Sequence, residues 1–259
     1  MVYNHNPKNK FYVSFARANR EPSRSDFENG NPQPEELNDY ELGWRFNTAK
    51  TSLLVNVYLM DYTNQLALTG ALDDVGSPIR ENIGKSSRLG IEIEGTFSLA
   101  NRWTLQPNLT LSRNRNQNFY FQRDGVLTHL GDTHLSFSPA MVAGNNIAFQ
   151  PSSQWKIALL TKHVGEQFMG NIDSETSRLE AYTVSDLNVN YLILPKSLIK
   201  EINVSLLLNN FLGAKYVSNG YFYTFDDDYS VPGVVSTVEA ARYYPQARFN
   251  FLAGLSLRF

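Results

Sequence analysis

The sequence predicts an all-β protein, an antiparallel transmembrane β-barrel. Three observations lead to this fold class. Apolar and polar residues alternate through ten segments, the connections between these segments alternate between short and long, and all three tryptophans stand beside short connections. The chain has no cysteine, which excludes disulfide frameworks and thiolate sites, and its net charge of -2 lacks the basic excess of a nucleic-acid-binding protein. We therefore expect no nucleic-acid partner.

The strands follow from the alternation of side chains. Successive side chains of a β-strand point to opposite faces, so an apolar residue at every second position gives one apolar and one polar face. The C-terminal segment shows this most clearly, because apolar residues occupy every second position from Phe249 to Phe259. No stretch has a convincing helical period. The alternation predicts ten strands, in chain order at 11–16, 39–46, 53–60, 88–97, 103–111, 139–150, 155–159, 186–191, 202–209 and 248–259.

The connections between these strands differ in length by a regular rule. In outer-membrane barrels short turns face the periplasm and long loops face outside, whereas a soluble β-sandwich has no reason to place every long loop at one end. The alternation of lengths therefore favours the barrel. The four short connections are 47–50, 98–102, 150–153 and 194–197. The five long, polar connections are 18–37, 63–86, 114–137, 165–181 and 212–243.

The tryptophans give an independent indication. Trp44 lies three residues before a short connection, and Trp103 and Trp155 each follow one within two residues. All three fall on the apolar face of their strand. Indole rings favour the membrane–water interface, so this placement is typical of an aromatic girdle at one rim of a barrel. Core tryptophans of a soluble sandwich are the alternative, but they would not be expected to cluster at one end.

The long connections hold the candidate chemistry. The stretch NGYFYTFDDDY at 219–229 combines five aromatic residues with three consecutive aspartates. Exposed aromatic side chains favour contact with a ligand, a partner or a neighbouring loop. Asp226–Asp228 could bind a hard cation such as calcium, but they match no EF-hand spacing, so a solvated acidic loop is the preferred interpretation.

The remaining polar motifs predict neither a metal site nor a catalytic residue. His129 and His134 share a loop with Asp132, but this spacing is weak evidence for metal, and we interpret them as surface histidines. The sequence contains no glycine-rich phosphate loop and no GxSxG elbow. We therefore predict no cofactor and no enzymatic activity.

Six motifs together resemble the C-terminal part of a TonB-dependent outer-membrane receptor, of the kind common in Bacteroidota. Their order and spacing fit that family, and the resemblance covers essentially the whole chain. The motifs are FARANREPSRSDF at 15–27, PEELNDYELGWRF at 34–46, NVYLMDYTNQL at 56–66, SSRLGIEIEG at 86–95, VSLLLNNFLGAKY at 204–216 and YYPQARFNFLAGLSLRF at 243–259.

The resemblance implies an architecture and a location. In that family a barrel of about 22 strands surrounds an N-terminal plug domain. Residues 1–259 would then be the last ten strands of such a barrel, a fragment without its plug, embedded in the lipid of a Gram-negative outer membrane. The C-terminal segment resembles the signal read by the barrel-assembly machinery. The residues that carry this role are Phe249, Phe251, Leu255, Leu257 and Phe259.

The resemblance also implies a function, the uptake of a ferric siderophore or a similar scarce nutrient, energised through TonB. Contact with TonB itself would pass only through the missing plug. Residues of the outer loops would bind the ligand, and aromatic and cationic groups suit catecholate or carboxylate chelates. The candidate ligand-binding residues are Tyr221, Tyr223, Phe225, Tyr229 and Arg242.

Two alternatives remain open for a self-contained ten-stranded barrel. A protease of the omptin type needs paired carboxylates and a His–Asp pair at the outer rim to activate water. The nearest candidates for these roles are Asp227, Asp228, His134 and Asp132, whose spacing resembles no omptin motif. A passive channel is the other alternative, with a small conductance because side chains fill a barrel of this size.

The fragment interpretation makes a structural prediction. The first strand, around Phe11–Ala18, and the last, Arg248–Phe259, would be unpaired edges of a larger sheet. Lipid cannot satisfy the backbone groups of an open edge, so the isolated chain is expected to aggregate or to pair promiscuously.

Overall fold

The described residues fold mainly into antiparallel β-strands and contain very little helix. The computed structural model describes residues 1–28, 30–72, 78–100, 102–195 and 198–259. Within these residues no helix is long and apolar enough to cross a membrane. The elements in chain order are β1 (Val2–Asn4), β2 (Asn9–Arg20), α1 (Arg24–Glu28), β3 (Glu35–Asn47), β4 (Thr51–Thr63), β5 (Leu66–Leu72), β6 (Pro78–Asn82), β7 (Lys85–Leu99), β8 (Trp103–Arg123), β9 (Val126–His134), β10 (Met141–Phe149), β11 (Trp155–Val164), β12 (Gln167–Phe168), a 3₁₀ turn (Glu175–Ser177), β13 (Arg178–Leu179), β14 (Tyr182–Ile193), β15 (Glu201–Asn209), β16 (Val217–Asp227), β17 (Ser236–Pro245) and β18 (Asn250–Arg258).

One continuous sheet contains all ten predicted strands. Its order is β1-β2-β3-β4-β7-β8-β10-β11-β14-β15-β18, and β9 joins it by pairing with β8. Every neighbouring pair is antiparallel, so the predicted fold class is confirmed. The short strand β1 was not predicted, because three residues are too few to show an alternation.

The two ends of the sheet differ as the connection lengths predict. Short connections join β1 to β2, β3 to β4, β7 to β8, β10 to β11 and β14 to β15, all at one end, here called the turn end. The long connections lie at the opposite, loop end. The sequence predicts irregular loops there, whereas the structure shows α1, the hairpins β5–β6, β12–β13 and β16–β17, and a paired extension of β8 with β9. These hairpins pair within one connection, so they add no strand to the main sheet.

The register aligns apolar side chains of neighbouring strands on one face of the sheet, here called the apolar face. Val13 and Leu42 are respectively 51% and 60% exposed on this face, so the surface needs an apolar environment around it. One row crosses six strands and consists of Val13, Leu42, Val57, Ile91, Leu111 and Met141.

Aromatic side chains collect on the apolar face at the turn end. The Trp103 ring stacks on Phe149 with centroids 4.2 Å apart, and Trp155 lies 4.4 Å from Tyr191. Trp44 lies near Phe46, and its indole N–H donates to Asn9 Oδ1 at 3.0 Å. The three tryptophans therefore share one rim of the sheet, as predicted from their positions in the sequence.

On the opposite, polar face, glycines leave space for tyrosine rings that extend from the neighbouring strand. Tyr12 on β2 extends across Gly43 on β3, and its hydroxyl donates to Asn56 Oδ1 on β4 at 2.9 Å. A Cβ atom at Gly43 would stand 1.9 Å from Tyr12 Cε1. Tyr58 covers Gly90 in the same way, with its hydroxyl 2.5 Å from where a Cβ would be. Only glycine leaves room for a ring to lie flat on the next strand.

The two edges of the sheet differ from each other. Strand β18 pairs only with β15 in the described part of the chain, so this edge is open, as predicted. Strand β2 departs from the prediction, because β1 folds back on it and places Val2 opposite Tyr12. The amino group of Met1 adds a hydrogen bond of 2.8 Å to the carbonyl oxygen of Val13.

Candidate ligand-contact site at the loop end

The β16–β17 hairpin carries most of the predicted site. Its turn is fixed by Asp227, whose Oδ1 accepts the backbone N–H groups of Tyr229 and Ser230, each at 3.0 Å. Hydrogen bonds from Ser230, its side chain first and then its backbone, together with the Tyr229 N–H, hold the pKa of the Asp227 carboxyl below its usual value. This carboxylate therefore closes the turn, and the neighbouring Asp226 accepts the hydroxyl of Thr237 at 2.8 Å.

Alternation along β16 builds an aromatic ladder. Tyr221, Tyr223 and Phe225 share one face, with ring centroids 6.0 and 6.4 Å apart and planes inclined by only 22° and 20°. Tyr244 on β17 extends the ladder at 6.1 Å from Tyr221. The outer rings are exposed, since Tyr221 is 44% and Phe225 51% accessible. The ladder offers a flat aromatic surface for a planar or apolar group.

Arg242 joins the ladder, but Tyr229 does not. The register places Arg242 directly opposite Tyr221, so the two side chains lie on the same face of the hairpin. The guanidinium Nη1 donates to the carbonyl oxygen of Ala241 at 2.9 Å, and the side chain is exposed. Tyr229 lies beyond the hairpin strands in the turn and is 89% exposed. The structure thus brings together four of the five predicted residues.

The other face of the hairpin is anchored to two neighbouring loops. Glu239 accepts Arg123 Nη2 at 2.5 Å from the β8–β9 hairpin and the hydroxyl of Ser174 from the 165–181 connection. Asp124 and Thr237 exchange two hydrogen bonds, at 2.7 and 2.8 Å. Three long connections are therefore bonded into one unit, here called the clasp.

Within the clasp, His134 has a partner that the sequence did not indicate. Its backbone N–H and its ring Nδ1 lie 2.8 and 3.0 Å from Asp173 Oδ1. Asp132, the expected neighbour, instead accepts the backbone N–H of Asn118 at 3.2 Å. The omptin-like arrangement of His134 with Asp132 is thus not formed, because the 165–181 connection folds onto β9.

The two remaining long connections form a second bonded unit. Asp26 is 4% exposed and accepts the N–H and hydroxyl of Ser23 at 2.7 and 2.6 Å, with Arg80 Nε at 3.4 Å. The Ser23 hydroxyl is the main cause that holds the pKa of Asp26 below its usual value, aided by the Ser23 N–H and by Arg80, while burial acts in the opposite direction. Asn82 adds a reciprocal pair with the backbone of Gln33 at 2.7 and 3.0 Å.

A cleft of about 680 Å³ separates this second unit from the clasp. Its lining comes from several connections, so no local sequence signal could have revealed it. Aromatic rings and amide groups dominate the walls, a combination that suits ligands with both flat and hydrogen-bonding parts. Among the residues lining it are Asn82, Gln117, Phe119, Phe121, Phe225 and Thr237.

Comparison with known proteins gives a family match over most of the chain. A family model described as "TonB dependent receptor-like, beta-barrel" matches residues 1–211. Among solved structures, the ferric yersiniabactin uptake receptor FyuA from Yersinia pestis has 17% identity and a TM-score of 0.65 over 100% of this chain and 36% of that chain. The siderophore receptor PiuA from Acinetobacter baumannii has 15% identity and a TM-score of 0.69 over 99% of this chain and 35% of its own.

A third similar structure is named for a different cargo. The copper transporter OprC has 15% identity and a TM-score of 0.70, over 98% of this chain and 37% of that chain. At these identities the likeness shows the fold. The chain spans little more than a third of the length of each of these three structures.

Proposed function

Because this chain belongs to the TonB-dependent receptor β-barrel family, a family of outer-membrane transport receptors, we propose that it takes part in the uptake of a ferric siderophore or a similar scarce nutrient, energised through TonB. Two of the similar structures, a ferric yersiniabactin uptake receptor and a siderophore receptor, support this class of cargo. The copper transporter is the reason for keeping the wider class of scarce nutrients.

We also propose that this chain is the C-terminal part of a larger barrel. Residues 1–259 would form part of the barrel wall, and the plug domain would lie outside them. Two observations support it. Strand β18 offers an open edge to a further strand, and the similar structures are nearly three times as long. The remaining strands and the plug that would contact TonB would come from outside these residues.

The C-terminal strand is proposed as the signal for the barrel-assembly machinery. Phe251, Leu255 and Leu257 face Leu208, Val204 and Ile202 on β15, and all three are exposed on the apolar face. Phe249 and Phe259 flank the strand and are 54% and 65% exposed. An apolar, accessible edge strand can pair with a receiving strand before the barrel closes.

The observation that carries the ligand proposal is the aromatic ladder with Arg242 beside it. An aromatic ladder can contact the flat rings of a chelate, and an exposed guanidinium can pair with its catecholate or carboxylate oxygens. Both groups stand on the solvent-exposed face of one hairpin, and Phe225 continues into the cleft. Ladder and cleft are therefore proposed to hold one ligand.

Chromosomal substitutions test this function in iron-starved cells. Radioactive iron would be offered as ferric catecholate, hydroxamate and carboxylate chelates, and uptake measured with and without a protonophore. We expect uptake of one chelate to fall at least tenfold when Tyr221, Tyr223 and Phe225 are replaced by Ala, and to require the proton gradient while binding does not.

Tyr229→Ala is the control, because it removes an exposed aromatic side chain of the same hairpin that lies outside the ladder. Equal amounts of each variant at the cell surface must be confirmed with an antibody. Unchanged uptake of every chelate by the triple variant would contradict the ligand site. Unchanged uptake after deletion of the gene would contradict the function itself.

A further inference from the structure

A group of three cations lies on the apolar face at its loop-end border. Arg113 follows Leu111 by two positions on β8 and stands directly opposite Leu89 on β7. Both leucines are exposed, 43% and 51%, and belong to the apolar face. Arg115 and Lys85 continue the same face further towards the loop end, opposite Ser87 and Gln117 respectively. Lys85, Arg113 and Arg115 are here called the border cations.

The border cations have no ionic partner in the described part of the chain. No side chain of the three forms an ion pair or a hydrogen bond there, and Lys85 and Arg113 are exposed while Arg115 is half-buried. Asp61 shares their face, opposite Ser87, yet makes no ion pair with any of them. Asp132, a carboxylate on the neighbouring strand β9, instead accepts the backbone N–H of Asn118.

Arg17 is a cation at the same border of the sheet, but it has an acidic partner. It occupies the equivalent border of the apolar face on β2, two positions beyond Phe15, which is 60% exposed. Its Nη2 lies 2.8 Å from Glu36 Oε2 on the neighbouring strand. The sheet can therefore place an acidic side chain beside a cation at this border, but the border cations have no such partner among the described residues.

We propose that Lys85, Arg113 and Arg115 bind the phosphorylated headgroup of an outer-leaflet lipid. In an outer-membrane protein the apolar face meets hydrocarbon, so side chains just beyond its loop-end border lie at the depth of the outer headgroups. Positions i and i+2 of a strand stand about 7 Å apart on one face, which lets Arg113 and Arg115 grip one headgroup together. Arginine matches phosphate oxygens with paired N–H groups, and the lysine adds a third charge.

This inference rests on the outer-membrane family alone and is independent of the transported cargo. The intact protein would be extracted from the outer membrane in an uncharged detergent and titrated with a synthetic bisphosphorylated, acylated glucosamine disaccharide. Native mass spectrometry would count the bound lipid. A cation at a membrane surface contributes about a fivefold gain in affinity, so replacing all three border cations by Gln is expected to weaken binding ~100-fold.

Arg17→Gln is the matched control and should leave binding unchanged. Arg113→Lys with Arg115→Lys keeps the charge and loses the paired N–H groups, so we expect intermediate weakening even if the neutral variant folds poorly. Undiminished binding by the triple variant, or equal binding of the dephosphorylated lipid, would overturn the proposal. Displacement by an equal concentration of inorganic phosphate would assign the site to a free anion and overturn the lipid as its occupant. Nutrient uptake should be unaffected in the Arg→Lys variant, which separates this test from that of the transport function.

Discussion

Tyr12 and Gly43 illustrate how single residues shape the polar face. The tyrosine can cross β3 to reach Asn56 only because Gly43 has no side chain. The pairing of a large residue with a glycine on the next strand is not visible in either strand alone, since alternation reports the face of a residue and not its neighbour. The sequence therefore predicted the polar face but not its packing.

Gly43→Ala tests this packing. The new methyl group would meet the Tyr12 ring at 1.9 Å, so the ring must move and its hydrogen bond to Asn56 is lost. We expect a loss of about 1–3 kcal/mol in unfolding free energy, the usual cost of overpacking, measured by denaturant titration in detergent micelles. Gly30→Ala is the control because nothing lies within 4 Å of its added Cβ. Combining Gly43→Ala with Tyr12→Ala should remove most of the clash, and strict additivity would contradict this account.

Asp26 predicts a response to acid at the loop end. Its folded pKa lies below the ordinary value of 3.8, so it stabilises the α1 segment above that value, and this contribution is lost as pH falls through the folded pKa. The protection factors of the α1 amides, which correct hydrogen exchange for its intrinsic pH dependence, should therefore fall below about pH 4. Asp26→Asn should remove this acid dependence, and the exposed Glu28→Gln in the same helix should keep it. An unchanged pH profile in Asp26→Asn would contradict the assignment.

Among elements, the β16–β17 hairpin marks the limit of sequence reasoning at the site. The sequence predicts its aromatic residues and Arg242 as candidates, because exposed aromatic and cationic groups suit catecholate or carboxylate chelates. The segment was nevertheless expected to be a loop, since Phe222 on the opposite face hides the period. Its anchors were missed altogether, since Glu239 bonds residues more than 60 positions away.

Glu239 is expected to control the order of this hairpin. The substitution Glu239→Gln weakens the charge-assisted hydrogen bonds to Arg123 and Ser174. A hydrogen bond to a charged group contributes about 1.5–3 kcal/mol. We therefore expect the amides of residues 221–225 to exchange faster in this variant. The measurement is hydrogen exchange by mass spectrometry on the detergent-solubilised protein. Glu180→Gln is a suitable control because Glu180 is exposed and shares Arg178 with two other carboxylates. Equal exchange in both variants would contradict the role of the clasp.

For the whole molecule, the sequence predicted what local alternation determines: ten strands, their two ends and the rim of tryptophans. It could not predict contacts between distant connections, such as His134 with Asp173 or Asp26 with Arg80. Those contacts depend on how the loops fold over one another after the sheet has formed. The same holds for β1, which covers part of one edge.

The open edge of β18 predicts the behaviour of the 259 residues when produced alone. Along Asn250–Arg258 the N–H and C=O groups that face away from β15 have no strand partner in the described part of the chain, and lipid or detergent tails cannot satisfy them. We expect the refolded chain to associate through this edge into dimers and larger species, measured by light scattering after size exclusion. The substitution Ala253→Pro in this edge strand should hinder the association. A monomeric species that migrates as a heat-modifiable closed barrel would contradict the open edge.

Strand β8 is 21 residues long, a contour of about 70 Å at 3.3 Å per residue. Inclined by ~40°, it rises ~50 Å, roughly twice the ~25 Å apolar band of an outer-membrane barrel. Half of the strand therefore stands clear of the bilayer, braced by β9 and tied to the clasp at Arg123 and Asp124. The turn between β8 and β9 therefore stands well outside the bilayer, where an antibody or a phage tail fibre could reach it.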